Sequence, residues 1–217
     1  FGTTGAAITG YVSLVGERNG APTGPFGAIT DAIAPRLSLA TLLAALEYRA
    51  STGKGQYLDQ SQVESALHFL STAFLRYTSG AGESTRNGNR DSVFAPHGVF
   101  PSKGEDEWIA IAIRNDTEWE AFCSVIDEDS YKDMSRDERH ANADLLESVI
   151  GLWTQGHTAK NVELKLQDIG VPSAALLRGK NAADDQQLKY RGHFATVPHP
   201  IHGTTIIEGS RFKLSRT

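Results

Sequence analysis

The sequence predicts an α/β fold in two parts, and three features carry the prediction. Apolar residues recur at helical spacing over residues 36–49 and 62–77, with a short strand at 56–61 between them, the order of an α/β unit. Residues 79–92 then lose all apolar periodicity and read as a long loop, of the kind that in compact proteins serves a function or links domains. Beyond the loop, short strands and helices mix in an α+β arrangement. The expected division is a first domain over residues 1–78, a linker or active-site loop over 79–96, a smaller α+β domain over 97–192 and a closing segment over 193–217.

Each element has a local cause. The first thirty residues are rich in Gly, Thr and Pro around one apolar stretch, 6–14. Ala21-Pro22-Thr23-Gly24-Pro25-Phe26-Gly27 forces an irregular loop, because the prolines fix φ and the glycines admit unusual turns. Asp31 closes that loop, and Pro35 suits a first helical turn, so the helix is expected to begin at Ala34 or Pro35. Leu39, Leu42, Leu43 and Leu46 form its apolar face, and Thr52-Gly53-Lys54-Gly55 ends it. Tyr57 and Leu58 centre the strand, while Val63, Ala66, Leu67, Leu70, Phe74 and Leu75 give the next helix one broad face. In the second part, 97–100 and 108–113 predict a hairpin that turns at 102–106. Ile109, Ile111 and Ile113 alternate there with smaller residues, as in a strand covered on one side. Helices follow near 116–126, 138–155 and 159–169, then a strand at 173–177, a helix near 182–190, and strands around 194–197 and 204–208.

The 217 residues include 21 basic and 26 acidic side chains, a formal charge of −5, with 40% hydrophobic residues and one cysteine. That is a soluble globular composition, and its mild acidity argues against a nucleic-acid partner, which selects a basic face. Uninterrupted apolar runs fall far short of the roughly 20 residues that span a bilayer, so no membrane partner is expected. A single cysteine cannot pair within the chain, and no signal-peptide pattern opens it, which points to a reducing, cytoplasmic setting. The chain starts Phe1-Gly2-Thr3-Thr4 without an initiator Met and stops in what reads as an unfinished strand and loop. An internal fragment is the expectation.

Few motifs carry chemistry. There is no Gly-x-x-x-x-Gly-Lys-Ser/Thr phosphate loop and no Gly-x-Ser-x-Gly elbow. Seven histidines are scattered along the chain; only His199 and His202 are close together, with Pro200 between them, so no metal site is expected. Cys123 stands beside Trp119 and Phe122 and reads as a buried structural thiol. Asp31 is the residue with catalytic promise. At the head of a helix, unpaired backbone N–H groups and the helix dipole favour the ionised carboxylate, which can act as nucleophile or base. The same position also describes a plain helix cap, and the residue type alone favours the cap. Lys54 has the charge for a phosphate contact, but a lysine in a Gly-Lys-Gly turn is ordinarily solvated. Gln56 and Asp59 fit a turn and a strand edge, and Glu64 fits a helix start after Ser61.

Longer tracts change the weighing at Asp31. They are Asp31-Ala32-Ile33-Ala34-Pro35, Leu43-Ala44-Ala45-Leu46-Glu47-Tyr48-Arg49, Thr52-Gly53-Lys54-Gly55-Gln56-Tyr57-Leu58-Asp59 and Ser61-Gln62-Val63-Glu64. Further on come Arg86-Asn87-Gly88-Asn89, Ala95-Pro96-His97-Gly98-Val99-Phe100, Gly170-Val171-Pro172-Ser173 and Asp184-Asp185-Gln186-Gln187-Leu188. Together they resemble the class III CoA-transferases, the L-carnitine dehydratase/bile-acid-inducible (CaiB/BaiF) family, over almost the whole chain.

That resemblance implies a Rossmann-like large domain, here represented in part, a smaller α+β domain, and two subunits interlocked like chain links. It implies that Asp31 is a nucleophile that attacks an acyl-CoA thioester to give a mixed aspartyl anhydride. The released CoA thiolate then forms an aspartyl-CoA thioester, from which a carboxylic acid takes over the CoA. Acyl-CoA and acid are thus the partners, CoA is a substrate, and no cofactor is implied. Gly80 to Asn89 is the nearest equivalent of the family's glycine-rich active-site loop, without the run of four glycines of the formyl-CoA branch. Asn87, Gly88, Asn89 and His97 are the residues it brings toward the acyl site. An acyl-CoA racemase of the same fold, using an Asp and an upstream His, is the alternative; a catalytically inert scaffold is the other. Activity of this piece alone is not expected.

Overall fold

The computed structural model describes residues 1–25 and 27–216; Phe26 of the predicted proline–glycine loop and Thr217 at the end of the closing segment lie outside the described residues. The chain divides into two compact units, Phe1–Ser92 and Val93–Thr217.

Among its described residues the first unit is helical. Helix α1 (Gly2–Thr9) ends at Gly10, whose φ of 92° is left-handed and open to glycine, and α2 (Tyr11–Leu14) follows at once. The long α3 (Ile29–Thr52) ends on a left-handed Gly53, whose N–H donates to the Arg49 carbonyl. Then come α4 (Gln62–Leu67), a 3₁₀ turn at His68–Leu70 and α5 (Ser71–Thr78). Ser61 caps α4 by accepting the Glu64 N–H at 3.2 Å, as expected of a Ser at that position.

The first unit departs from the sequence expectation in four places. The helix carrying Asp31 begins at Ile29, not at Ala34 or Pro35, so Pro35 sits inside it and Asp31 lies in its first turn. Tertiary contact sets the earlier start. Thr30 is wholly buried beneath α1, and its hydroxyl donates to the Gly2 carbonyl at 3.1 Å. The strand expected at 56–61 is irregular chain with Tyr57 89% exposed, because a strand needs a partner ladder and the described part of this unit contains none. The single helix expected over 62–77 is three pieces, and no proline or glycine marks the breaks. Finally, α3 is more continuously apolar than its short uninterrupted runs imply. Its 24 residues are long and apolar enough, by length and composition, to cross a bilayer, although Pro35 and Arg36 fall within its first third.

The second unit is α+β. Strands β1 (His97–Pro101), β2 (Trp108–Ala112) and β3 (Ser173–Ala175) form an antiparallel sheet in that order, His97 opposite Ala112 and Ile109 opposite Ala175. Helices α6 (Asp116–Ile126), α7 (Arg136–Ala141), α8 (Ala143–Gln155) and α9 (Ala159–Asp168) accompany it. The expected isoleucine alternation is real. Ile109 and Ile111 point into a core shared with Trp119, Phe122 and Cys123 of α6, Leu146 and Ile150 of α8, and Val162 and Leu166 of α9. Burying each large apolar side chain is worth about 1.5–3 kcal/mol. The helix expected at 138–155 is divided because Asn142 leaves helical geometry and donates its Nδ2–H back to the Glu138 carbonyl at 2.8 Å. Strand β3 is shorter than expected. Short helices α10 (Gly179–Ala182) and α11 (Gln186–Arg191), the latter capped by Asp185, lead to the hairpin of β4 (Phe194–His199) and β5 (Gly203–Glu208).

Burial pushes the Cys123 thiol up to about 12, partly offset by Arg139 and reinforced by Asp129 and Glu128. The expectation of a structural thiol holds, and a disulfide reagent at pH 8 should leave native Cys123 unmodified yet react fully after urea unfolding. Glu118, its side chain 9% exposed, accepts the Arg114 backbone N–H at 2.8 Å and Nε–H at 2.7 Å, while Asn115 caps α6 on the Glu118 N–H at 2.9 Å. Burial raises the carboxyl's pKa, but these hydrogen bonds and the Arg114 charge outweigh it and the net shift is downward. A lowered folded pKa stabilises the protein above the unfolded value of about 4.3, and that contribution fades as pH falls through the folded pKa. Glu118→Gln should therefore flatten the acid limb of the urea midpoint measured against pH.

Candidate active site

The site is assembled by the first turn of α3, the start of α1 and the N-terminus of α4. Glycine makes the approach possible. A Cβ on Gly2 would stand 2.3 Å from the Ala28 Cβ and 2.9 Å from the Asp31 Cγ, and one on Gly5 would stand 2.9 Å from the Thr30 Oγ1. With no side chains at these points, α1 lies directly on the turn that holds Thr30 and Asp31.

Asp31 does not cap the helix. The capping position is Ala28, without a side-chain hydrogen bond, and the Asp31 N–H donates to the Ala28 carbonyl at 2.9 Å. Its carboxylate is left exposed in the positive field of the helix N-terminus. Pro35, four residues on, has no N–H to offer the Asp31 carbonyl. The carboxylate opens on a groove of about 540 Å³ that runs along α3 past Ala34, Pro35, Ser38, Leu39 and Leu42.

One polar chain orients it. The Gln62 Nε2 donates to the Thr30 Oγ1 at 2.8 Å and also to the Asp31 Oδ1. The assignment of the amide follows from its partners. The Thr30 hydroxyl spends its proton on the Gly2 carbonyl and must accept from Gln62, and an ionised carboxylate only accepts, so both bonds need the NH₂ group. Among the described residues, the Asp31 Oδ2 has no hydrogen-bond partner.

The loop residues are fastened elsewhere in the first unit. Arg86 donates to the Ser13 carbonyl at 3.0 Å and the Gly20 carbonyl at 3.4 Å, and the Gly88 N–H donates to the Gly16 carbonyl at 3.1 Å. Asn87 closes a turn by accepting the Arg90 N–H at 3.1 Å, with Asn89 inside that turn. No hydrogen bond among the described residues joins Asn87 or Gly88 to Asp31. His97 opens β1 of the second unit. Lys54 is exposed, its N–H donating to the Thr52 Oγ1 at 3.2 Å. The residues that sequence reasoning missed are Thr30 and Gln62 as partners of Asp31, along with the bare backbone at Gly2 and Gly5. Contacts 28 to 32 residues apart in sequence leave no local pattern to find.

The fold recurs within a solved protein of the CaiB/BaiF family, over about half of its length. A crystal structure of a CaiB/BaiF family protein from Brucella suis superposes with a TM-score of 0.83 at 23% identity, over 98% of this chain and 55% of that one. Residues 1–217 match CoA-transferase family III along their whole length, and the chain belongs to that family. The succinyl-CoA:mesaconate CoA-transferase of Haloarcula marismortui is 27% identical over 97% of this chain and 53% of its own. The human succinyl-CoA:glutarate CoA-transferase is 25% identical over 97% of this chain and 50% of its own. The chain thus spans about half the length of the curated relatives it matches.

Proposed function

We propose that the protein transfers CoA between an acyl-CoA donor and a carboxylic acid, with Asp31 as the covalent nucleophile. The observation that carries this reading is an exposed, oriented carboxylate that lines a groove, one of its oxygens held by Gln62, in a member of a CoA-transferase family. The Asp31 Oδ2 adds to the thioester carbonyl and expels CoA thiolate, giving a mixed anhydride. The thiolate adds to the Asp31 Cγ and expels the donor acid, which leaves with Oδ2 and gives the aspartyl-CoA thioester. The acceptor carboxylate attacks that Cγ and expels CoA thiolate, giving a second mixed anhydride. The thiolate then attacks the acceptor's acyl carbon and expels the Asp31 carboxylate, which keeps one acceptor oxygen. CoA has changed acids, and Asp31 is a carboxylate again.

Three covalent intermediates, two anhydrides and the thioester between them, keep the thioester's free energy on the enzyme, provided water is kept from the anhydrides. CoA is a substrate here and no cofactor is needed. The reading extends to a cytoplasmic homodimer, with Asn87, Gly88, Asn89 and His97 serving the acyl site.

The test incubates the full-length protein with acyl-CoA, quenches with hydroxylamine and maps the adduct by mass. A hydroxamate at Asp31 supports transfer. Exchange of the substrate α-proton with solvent, without any adduct, would instead indicate a racemase.

A further inference from the structure

Gln62 meets Asp31 at the oxygen where charge must develop, and the geometry points to Gln62 as a catalytic residue of the transfer, the oxyanion donor for the steps at the Asp31 carbonyl carbon. This inference rests on the reading of Asp31 as nucleophile. Because Oδ1 accepts from the Gln62 Nε2, Oδ2 is the oxygen available to attack the thioester. Oδ1 then becomes the carbonyl oxygen of the anhydride and of the aspartyl-CoA thioester. When thiolate or acceptor carboxylate adds to Cγ, the electron pair moves onto Oδ1, and the tetrahedral centre collapses by expelling carboxylate or thiolate. The N–H that held the resting carboxylate already points at this oxyanion. A donor pre-aimed at developing charge is worth far more than one that must be recruited.

The amide cannot turn its carbonyl toward Asp31 without losing its support. Its second N–H is held by the Thr30 Oγ1 at 2.8 Å, and that hydroxyl is committed to the Gly2 carbonyl at 3.1 Å inside a wholly buried site. Thr30 is therefore a positioning residue, and Gly5 makes room for it. The first step, addition of Oδ2 to the substrate's carbonyl, places its charge on a substrate oxygen that Gln62 does not touch. Gln62 thus acts on one half of the chemistry and not the other.

The experiment compares Gln62→Ala and Gln62→Glu with the parent in the full-length protein, following kcat and the Asp31 adducts after a single mixing with acyl-CoA. The expected kcat falls by roughly 10²-fold or more in both, the scale of losing one oxyanion donor. The trapped anhydride should rise relative to the aspartyl-CoA thioester, since only steps at Cγ are slowed. A purely structural role would lower both adducts together, and that outcome, or a kcat within twofold of the parent, overturns the inference. Gln62→Glu keeps the side chain's size and decides the matter if the alanine variant does not fold. Asp31→Ala run alongside separates the two readings. Turnover surviving that change defeats the nucleophile itself, whereas normal turnover in the Gln62 variants with Asp31 essential defeats only the donor.

Discussion

Asp31→Ala should lower CoA transfer by about four orders of magnitude or more, the scale seen when a covalent nucleophile is removed and only binding and orientation remain. Asp31→Asn should be nearly as inactive, because the amide keeps the shape yet has no anionic oxygen to form an anhydride. Neither change should unfold the protein. Asp31 is exposed, the capping position of its helix is Ala28, and the buried anchor of that turn is Thr30. Activity assays paired with thermal melts check both halves: lost turnover, with a melting temperature within a few degrees of the parent, the range expected of an exposed substitution. A variant that lost activity only by melting would not support the role assigned to Asp31.

Arg139→Ala should destabilise the second unit by about 3–5 kcal/mol, read from a urea midpoint. The side chain is 1% exposed, and three partners hold it. Its Nε donates to the Ala95 carbonyl at 2.7 Å, and one terminal nitrogen donates to the Met134 carbonyl at 2.7 Å and to the Asp116 carboxylate at 2.9 Å. The guanidinium also lies over the Trp119 ring at 5.6 Å. The Asp116 side chain is 68% exposed, so that ion pair is screened and contributes little. Most of the cost comes from two carbonyls left without a donor and from the emptied space beside Trp119. Asp116→Ala, which removes only the exposed partner, should therefore cost under about 1 kcal/mol. Comparable losses in the two variants would assign the stability to the ion pair instead.

The second unit was largely legible in the sequence because its signals are local. Alternating isoleucines at 109, 111 and 113, in and just beyond one strand, a helix start at Asp116 and the Trp119–Phe122–Cys123 cluster are each close in sequence, and the core they form matches the pattern. Asn142 escaped because a side chain bonding back to a carbonyl breaks a helix without disturbing its apolar spacing. The first unit was harder. Pro35 argued for a helix starting at or after Ala34, yet burial of Thr30 under Gly2 and Gly5 begins it at Ile29. The strand at 56–61 had the right residues but no ladder to join. Asp31 stands out in the sequence by its place near a helix head and by the family resemblance. Gln62 passed for a residue of a helix start, since only the fold brings position 62 to position 31.

The most direct measurement follows oxygen. In the sequence of steps assigned to Asp31, each donor acid leaves with the Asp31 Oδ2, and each acceptor acid leaves one of its own oxygens on the Asp31 carboxylate. Turnover with an acceptor acid labelled with ¹⁸O, followed by mass analysis of the peptide containing Asp31, should show one labelled oxygen at that residue. Rapid CoA transfer with an unlabelled Asp31 would contradict the account.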